Sequence, residues 1–153
     1  MKGIIMQDTN DMGIVPIERT TKDIVDSSES LYVGSLGDTA EDKVKLFNAI
    51  NSAIPLRDYV KSGGKAFTCV NIIAHDAEFE DMNNPGVMLK KPRVIFITDK
   101  GDSYASPSPS IFSATQRLLS IFGNPSQWGK GINMLPKFAT SKRDLDYLTI
   151  EIV

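Results

Sequence analysis

The order of secondary structure elements predicted between Lys65 and Val153 constrains the fold more than any other feature of this chain. Six segments have the side-chain pattern of a strand or a helix. The strands are predicted at about Lys65–His75, Arg93–Thr98, Ser103–Ser106, Ile132–Phe138 and Leu145–Val153, and the helix at Pro109–Phe122. Three strands, a helix and a closing pair of strands form the connectivity of the OB fold. We therefore predict a mainly β domain, a five-stranded OB-fold barrel with the order β-β-β-α-β-β.

The segment that precedes the predicted barrel divides into two parts. Residues 38–52 predict a helix with Thr39 as its N-cap. Its apolar side chains recur at helical spacing: Val44, Phe47, Ala49 and Ile50. Residues 1–37 mix short apolar clusters with polar residues, and Glu18–Asp26 fits one or two helical turns. We expect residues 1–37 to be an N-terminal, helix-containing extension that packs on the barrel or on a neighbouring subunit, and residues 38–153 to form the OB-fold domain with its preceding helix.

Composition and motifs exclude several classes of function. The chain has 153 residues and a formal net charge of −2. Cys69 is its only cysteine and His75 its only histidine, which excludes an intrachain disulfide and a Cys/His zinc site within one chain. The sequence contains no glycine-rich phosphate loop and no nucleophile elbow, so we expect neither an enzyme nor a cofactor. No run of 18 apolar residues is present, and we predict no membrane segment and a cytoplasmic protein.

Basic and aromatic residues suggest a nucleic-acid site. In an OB barrel, the loops between strands one and two and between strands four and five frame the binding groove beside strands two and three. Both loops carry a basic pair here, because the region Asp76–Pro92 reads as a long loop ending near Lys90–Lys91, and the last hairpin carries Lys142–Arg143 at its tip. Basic pairs in loops also serve solubility, but their coincidence on these two loops favours binding. The predicted phosphate contacts are Lys90, Lys91, Arg93, Lys137, Lys142 and Arg143, and the predicted base-stacking residues are Phe67, Tyr104 and Tyr147.

The same region resembles a known family. The stretches Lys45–Ala49 and Val94–Tyr104, the helix ending near Gly123 and the Ser141–Lys142 hairpin are similar to the single-stranded DNA-binding proteins of small tailed phages with protein-primed DNA replication. The resemblance covers roughly residues 43–153. It implies a replication accessory protein that coats displaced strands and stacks bases on tyrosines such as Tyr104.

We therefore predict a sequence-independent single-stranded DNA-binding protein of a phage, acting in the cytoplasm of the host cell. Its expected partners are single-stranded DNA and, through the N-terminal extension, further copies of itself. The alternative is a structural or assembly β-barrel protein of a virion with no affinity for nucleic acid. The alternative is supported by the near-neutral charge of the chain.

Overall fold

A computed structural model describes residues 33–34 and 36–153 of the chain. Ten α-helices and β-strands follow one another in this part. In chain order they are β1 (Val33–Gly34), α1 (Ala40–Ser52), β2 (Ile54–Pro55), α2 (Leu56–Lys61), β3 (Phe67–Glu80), β4 (Met88–Thr98), β5 (Ser103–Ser106), α3 (Pro109–Phe122), β6 (Ile132–Thr140) and β7 (Asp146–Ile152). All five predicted strands and the predicted helix after the third strand are present in the expected order, which confirms a mainly β chain.

The strands form one curled sheet in the order β2-β5-β4-β3-β6-β7, with β1 paired to β3. The first predicted strand, β3, pairs antiparallel with both β4 and β6, as an OB connectivity requires. Closure of a barrel would join β5 to β7, but within the described part of the chain β5 pairs with β4 and β2. The sheet is therefore a half-barrel with two additional short strands. The five-strand count and the OB fold stay predictions.

Both faces of the central sheet are buried, because helices pack on each side. The inner face packs against α2 and α3, with Phe96 and Met134 among its buried side chains. The outer face of β3, β4 and β5 packs against α1, where Ile95 and Ile97 meet Ala49. This double burial explains why β4 is apolar at successive positions. It also covers the outward face of the second and third predicted strands, the surface on which OB folds commonly bind their ligands.

Two details of the predicted patterns are wrong. In α1, Val44 and Phe47 are 59% and 66% exposed, because the face that meets the sheet carries Leu46 together with the predicted Ala49 and Ile50. In β3, strict alternation fails because the pairing with β4 shifts register between Cys69 and Asn71. The bulge adds one residue to β3. Side chains before the bulge therefore point to the opposite face of the sheet from the one that strict alternation predicts.

Consequently Phe67 and Cys69 belong to the inner core together with Ile72. Strict alternation along the strand would instead place Phe67 and Cys69 on the opposite face from Ile72.

The region predicted as a long loop at Asp76–Pro92 is mostly a hairpin, which is a further correction. Strands β3 and β4 pair as far as Glu80 and Met88, so only a short turn remains at their tip. The pairing places Phe79 across from Leu89 and Glu78 across from Lys90. Apolar and opposite-charge cross-strand pairs stabilise such a ribbon, whereas its mixed composition resembles a loop in sequence.

Residues 1–37, which are predicted to form an N-terminal extension, are described only near their end. Val33–Gly34 pairs antiparallel with Ala74 and Ile73 of β3, and Leu36 packs against the core beneath α1. The predicted helical turns at Glu18–Asp26 and the predicted self-association through residues 1–37 lie outside the described residues, apart from these positions.

The N-cap of α1 is confirmed, since the Asp42 amide donates to Thr39 Oγ1 at 3.1 Å.

Candidate nucleic-acid interface

Three aromatic rings meet at a cleft beside the turn between β4 and β5. The ring centroids of Tyr59 and Tyr104 are 4.2 Å apart, those of Phe67 and Tyr104 are 5.1 Å apart, and those of Tyr59 and Phe67 are 6.2 Å apart. The cleft has a volume of about 500 Å³. We call it the aromatic cleft; its polar rim is formed by Lys65, Asp99, Lys100, Asp102 and Asn133. Its size is that of an ordinary small-molecule pocket, with room for a nucleobase.

Helix α2 positions Tyr59 at the edge of this cleft. Leu56 is fully buried in the inner core and anchors the first turn of the helix. The Tyr59 hydroxyl donates to the Lys65 carbonyl at 2.8 Å, and the Gly64 amide donates to the Tyr59 carbonyl at 2.9 Å. A Cβ atom at Gly64 would collide with the Tyr59 ring, so glycine at this position allows the ring to lie against the turn.

The other two rings come from neighbouring strands. Phe67 begins β3 and is partly buried, whereas Tyr104 on β5 retains only 7% of its surface exposed. Burial, together with Tyr59 and Asp102 nearby, raises the pKa of Tyr104 to about 12, so its hydroxyl stays neutral. Tyr104 therefore forms the base of the cleft, while Tyr59 and Phe67 present more ring surface to solvent.

The rim of the cleft carries both signs of charge. Lys65 lies before β3 and Lys100 in the β4–β5 turn, and both are exposed. Asp99 and Asp102 belong to the same turn and are exposed as well. Thr98 organises this turn, because its hydroxyl oxygen accepts hydrogen bonds from the amides of Lys100 (3.3 Å) and Asp102 (3.1 Å). The three charged residues of this turn are thus held on an ordered backbone.

Arg93 occupies a different environment from the other predicted phosphate contacts. Its Nη1 donates to the carbonyl of Ile50, near the C-terminus of α1, at 3.0 Å. The same nitrogen lies 3.2 Å from Nε2 of His75, which is 7% exposed. His75 Nδ1 lies 3.1 Å from the Asp76 carbonyl, so the arrangement fits a neutral imidazole that donates from Nδ1 and accepts at Nε2. Burial, then the charge of Arg93, lowers the pKa of His75, in agreement with that state.

Four predicted residues share the β6–β7 hairpin. Lys142 and Arg143 are exposed in its turn, where the Ser141 hydroxyl accepts from the Arg143 amide at 3.3 Å. Lys137 and Tyr147 lie on the outward face of the two strands, and Tyr147 is 40% exposed. Lys137 forms an ion pair with Glu151 at 3.0 Å, with both side chains about half exposed. Such exposed pairs contribute little to stability, so Lys137 can exchange its carboxylate for a phosphate at small cost.

The remaining basic pair lies on the β3–β4 hairpin. Lys90 and Lys91 are exposed on β4, opposite Glu78 and Ala77 respectively. Successive strand residues point to opposite faces, so the two ammonium groups leave the ribbon on different sides. A phosphate backbone that follows one face would therefore meet one of these lysines directly.

The structure thus distributes the predicted residues over four places. Phe67 and Tyr104 meet in the aromatic cleft, and four residues share the β6–β7 hairpin. The lysine pair lies on the β3–β4 hairpin, and Arg93 lies beneath α1. Sequence reasoning missed Tyr59, Lys65 and Lys100. The available signal was the Gly63–Gly64 turn, which brings Tyr59 back towards the start of β3.

Cys69, the single cysteine of the chain, is buried. Burial raises the pKa of the Cys69 thiol to about 12, so it is protonated and unreactive. Within residues 33–34 and 36–153, no three His, Cys, Asp or Glu side chains are grouped as a metal site would require. In the same part of the chain, no helix combines the length and apolarity needed to cross a bilayer.

Comparison with known proteins identifies one family. The sequence model of the phage single-stranded DNA-binding proteins matches residues 25–153, which confirms the resemblance inferred from residues 43–153. Searches of curated proteins and of solved structures found no match. The match supports single-stranded DNA binding, and it does not favour the alternative of a virion component without affinity for DNA. The family is one of DNA-binding proteins rather than enzymes, in agreement with the expected absence of catalysis.

Proposed function

Because the chain belongs to the phage single-stranded DNA-binding protein family, we propose that it coats the single strands displaced during replication of phage DNA, in the cytoplasm of the host cell. The family match over residues 25–153 is the observation that carries this proposal. Coating requires binding to any sequence, so the contacts must be with groups that all nucleotides share. Those groups are the phosphates and the faces of the bases.

The aromatic cleft supplies the surface for the bases. Stacking of a base on an aromatic side chain contributes about 1–3 kcal/mol and tolerates any sequence, since every base has a π face. Tyr59 and Phe67 are both partly exposed and offer ring surface there, whereas Tyr104 supports them from beneath. Tyr147, at 40% exposure, is a second proposed stacking residue on the β6–β7 hairpin.

The exposed cations supply the contacts with phosphates. Lys142 and Arg143 project from a turn that hydrogen bonds hold in place. The remaining proposed phosphate contacts are Lys90, Lys91, Arg93 and Lys137. Arg93 is the weakest of these proposals, because its guanidinium already donates to the Ile50 carbonyl and lies beside His75. The salt slope is the slope of the logarithm of affinity against the logarithm of salt concentration. On a single strand, each phosphate that a cation neutralises makes this slope steeper by about 0.7.

A second copy of the chain is a further proposed partner. Residues 1–37 contain the apolar clusters on which this proposal rests. Sedimentation of the full chain over a range of concentrations tests it, and a mass that stays that of one chain at every concentration contradicts it.

The function is tested by fluorescence anisotropy with a labelled oligo-dT of about 30 nucleotides, a matching duplex and two salt concentrations. We expect tight, salt-sensitive binding to the single strand and much weaker binding to the duplex. A nuclease assay on a long single strand tests coating, because a coated strand is protected along its whole length. Equal affinity for the duplex, or protection of short patches only, would overturn the proposal.

A pair of variants tests the cleft itself. Tyr59→Leu removes an aromatic ring from the cleft, and Phe122→Leu removes one that is 43% exposed at the end of α3, outside the cleft. We expect Tyr59→Leu to weaken binding to oligo-dT about tenfold, which corresponds to the loss of one stacked base, and Phe122→Leu to leave it unchanged. Circular dichroism checks that both variants fold. Equal affinities for the two folded variants would remove the cleft from the binding surface.

A further inference from the structure

The aromatic cleft is suited to a base rather than to a phosphate. Its rim carries two lysines, Lys65 and Lys100, and two aspartates, Asp99 and Asp102, so the formal charges of these four side chains cancel. A phosphate would gain little from a neutral rim and would be repelled by the carboxylates. A neutral, planar base gains the contact with the rings and suffers no such repulsion.

Asp102 is placed to contact the edge of such a base. It lies two residues before Tyr104, immediately ahead of β5, and both residues line the cleft. Its backbone is held firmly, since its amide donates to Thr98 Oγ1 at 3.1 Å and its carbonyl accepts from the Thr98 amide at 2.8 Å. Among the described residues, no hydrogen bond or ion pair engages its carboxylate. The carboxylate is therefore an available acceptor, carried on a fixed backbone beside the aromatic base of the cleft.

The bases differ in what they present to an acceptor. An ionised carboxylate only accepts hydrogen bonds. Cytosine presents an exocyclic amino group, which donates, at the position where thymine presents a carbonyl oxygen, which accepts. A carboxylate that faces this position of the ring thus attracts the amino group of cytosine and repels the carbonyl oxygen of thymine.

From this arrangement we propose that Asp102 accepts a hydrogen bond from the exocyclic amino group of a base stacked in the aromatic cleft, and so makes this site prefer cytosine to thymine. The proposal rests on the proposed function, since it concerns one site on the surface that binds single strands. It adds a modest preference at one position to binding that otherwise tolerates any sequence. The remaining contacts, with phosphates and base faces, do not distinguish the two pyrimidines.

The test is competition between oligo-dC and oligo-dT of about 12 nucleotides for the full chain, measured by displacement of a labelled single strand. We expect oligo-dC to bind about three- to tenfold more tightly, the effect of one net hydrogen bond. In Asp102→Asn the amide can donate to thymine, so the preference should vanish or reverse. Asp144→Asn is the matched control, because it removes the same charge from the β6–β7 turn, outside the cleft. It should keep the preference.

The ratio of the two affinities is the readout, because loss of a negative charge strengthens the binding of every oligonucleotide. An oligonucleotide of N4-dimethylcytosine tests the same contact without any change to the protein. It lacks the amino hydrogens and should bind the unaltered chain no better than oligo-dT. Equal affinities of the unaltered chain for oligo-dC and oligo-dT, or a preference that survives in Asp102→Asn, would overturn the proposal while leaving the proposed function intact. Binding to neither oligonucleotide would overturn both.

Discussion

Substitution of Arg93 distinguishes a role of this residue in stability from a role in DNA binding. Its guanidinium joins three elements, because it lies on β4, donates to the Ile50 carbonyl of α1 and lies beside His75 of β3. The substitution Arg93→Met keeps the apolar stem and removes the donor. The Ile50 carbonyl and the His75 ring nitrogen then both lose their charged partner.

The expected cost follows from those two contacts. A hydrogen bond to a charged group contributes about 1.5–3 kcal/mol, and a buried acceptor left without a donor loses a similar amount. His75 is buried, whereas the Ile50 carbonyl lies near the end of α1, where water can replace the arginine. We therefore expect Arg93→Met to lower the free energy of unfolding by about 2–3 kcal/mol. For a chain of this size, the melting temperature should fall by about 6–9 °C.

Urea denaturation and anisotropy with oligo-dT measure the two roles side by side. Lys91→Met is the matched control, since Lys91 lies on the same face of β4 as Arg93 but is exposed and pairs across the ribbon with Ala77. It should change stability by no more than about 0.5 kcal/mol. The reasoning about stability would be refuted if Arg93→Met unfolded like the unaltered protein. Independently, a salt slope that falls by about 0.7 would support the proposed contact of Arg93 with a phosphate, and an unchanged slope would remove it.

Three further perturbations test other parts of the structure. Replacing Lys142 and Arg143 together by Ala should lower the salt slope by about 1.4 without affecting stability, and an unchanged slope would remove this turn from the site. Stability should fall below about pH 6.5, because the lowered pKa of His75 means that the folded protein binds fewer protons than the unfolded chain. His75→Gln should lose this part of the pH dependence in urea denaturation, and an identical pH profile would contradict it. Leu56→Ala should cost about 2–5 kcal/mol, because Leu56 is fully buried where α2 joins the core; a thermal melt like that of the unaltered chain would show otherwise.

Much of the architecture could be read from local patterns. The helix α3 matches its predicted bounds, Pro109–Phe122, because Pro109 favours the first turn and Gly123, with a φ of 77°, ends it. Strand β5 likewise matches its prediction at Ser103–Ser106, since the preceding turn has Gly101 where a positive φ is needed. These signals act within a few residues, so a single sequence is enough to show them.

The predictions of buried and exposed faces failed where contacts between distant segments determine the structure. The bulge in β3 follows from pairing with β4, and it turned Phe67 towards the core. The exposure of Phe47 on α1 depends on which side of the helix meets the sheet. Local alternation and helical spacing predict that a face is apolar, but they do not indicate its partner.

For the candidate site, the sequence by itself determined the family, the strand order and the presence of basic and aromatic residues in suitable numbers. Only the tertiary structure decided which of them meet. Tyr59, Phe67 and Tyr104 come from three separate elements and converge because Leu56 anchors α2 on the same core that β3 and β5 share. Arg93, by contrast, lies beneath α1, where its guanidinium donates to the Ile50 carbonyl. This carbonyl belongs to the last turn of the helix, whose carbonyl groups lack partners within the helix. Such contacts depend on packing between segments far apart in the chain, which side-chain periodicity does not record.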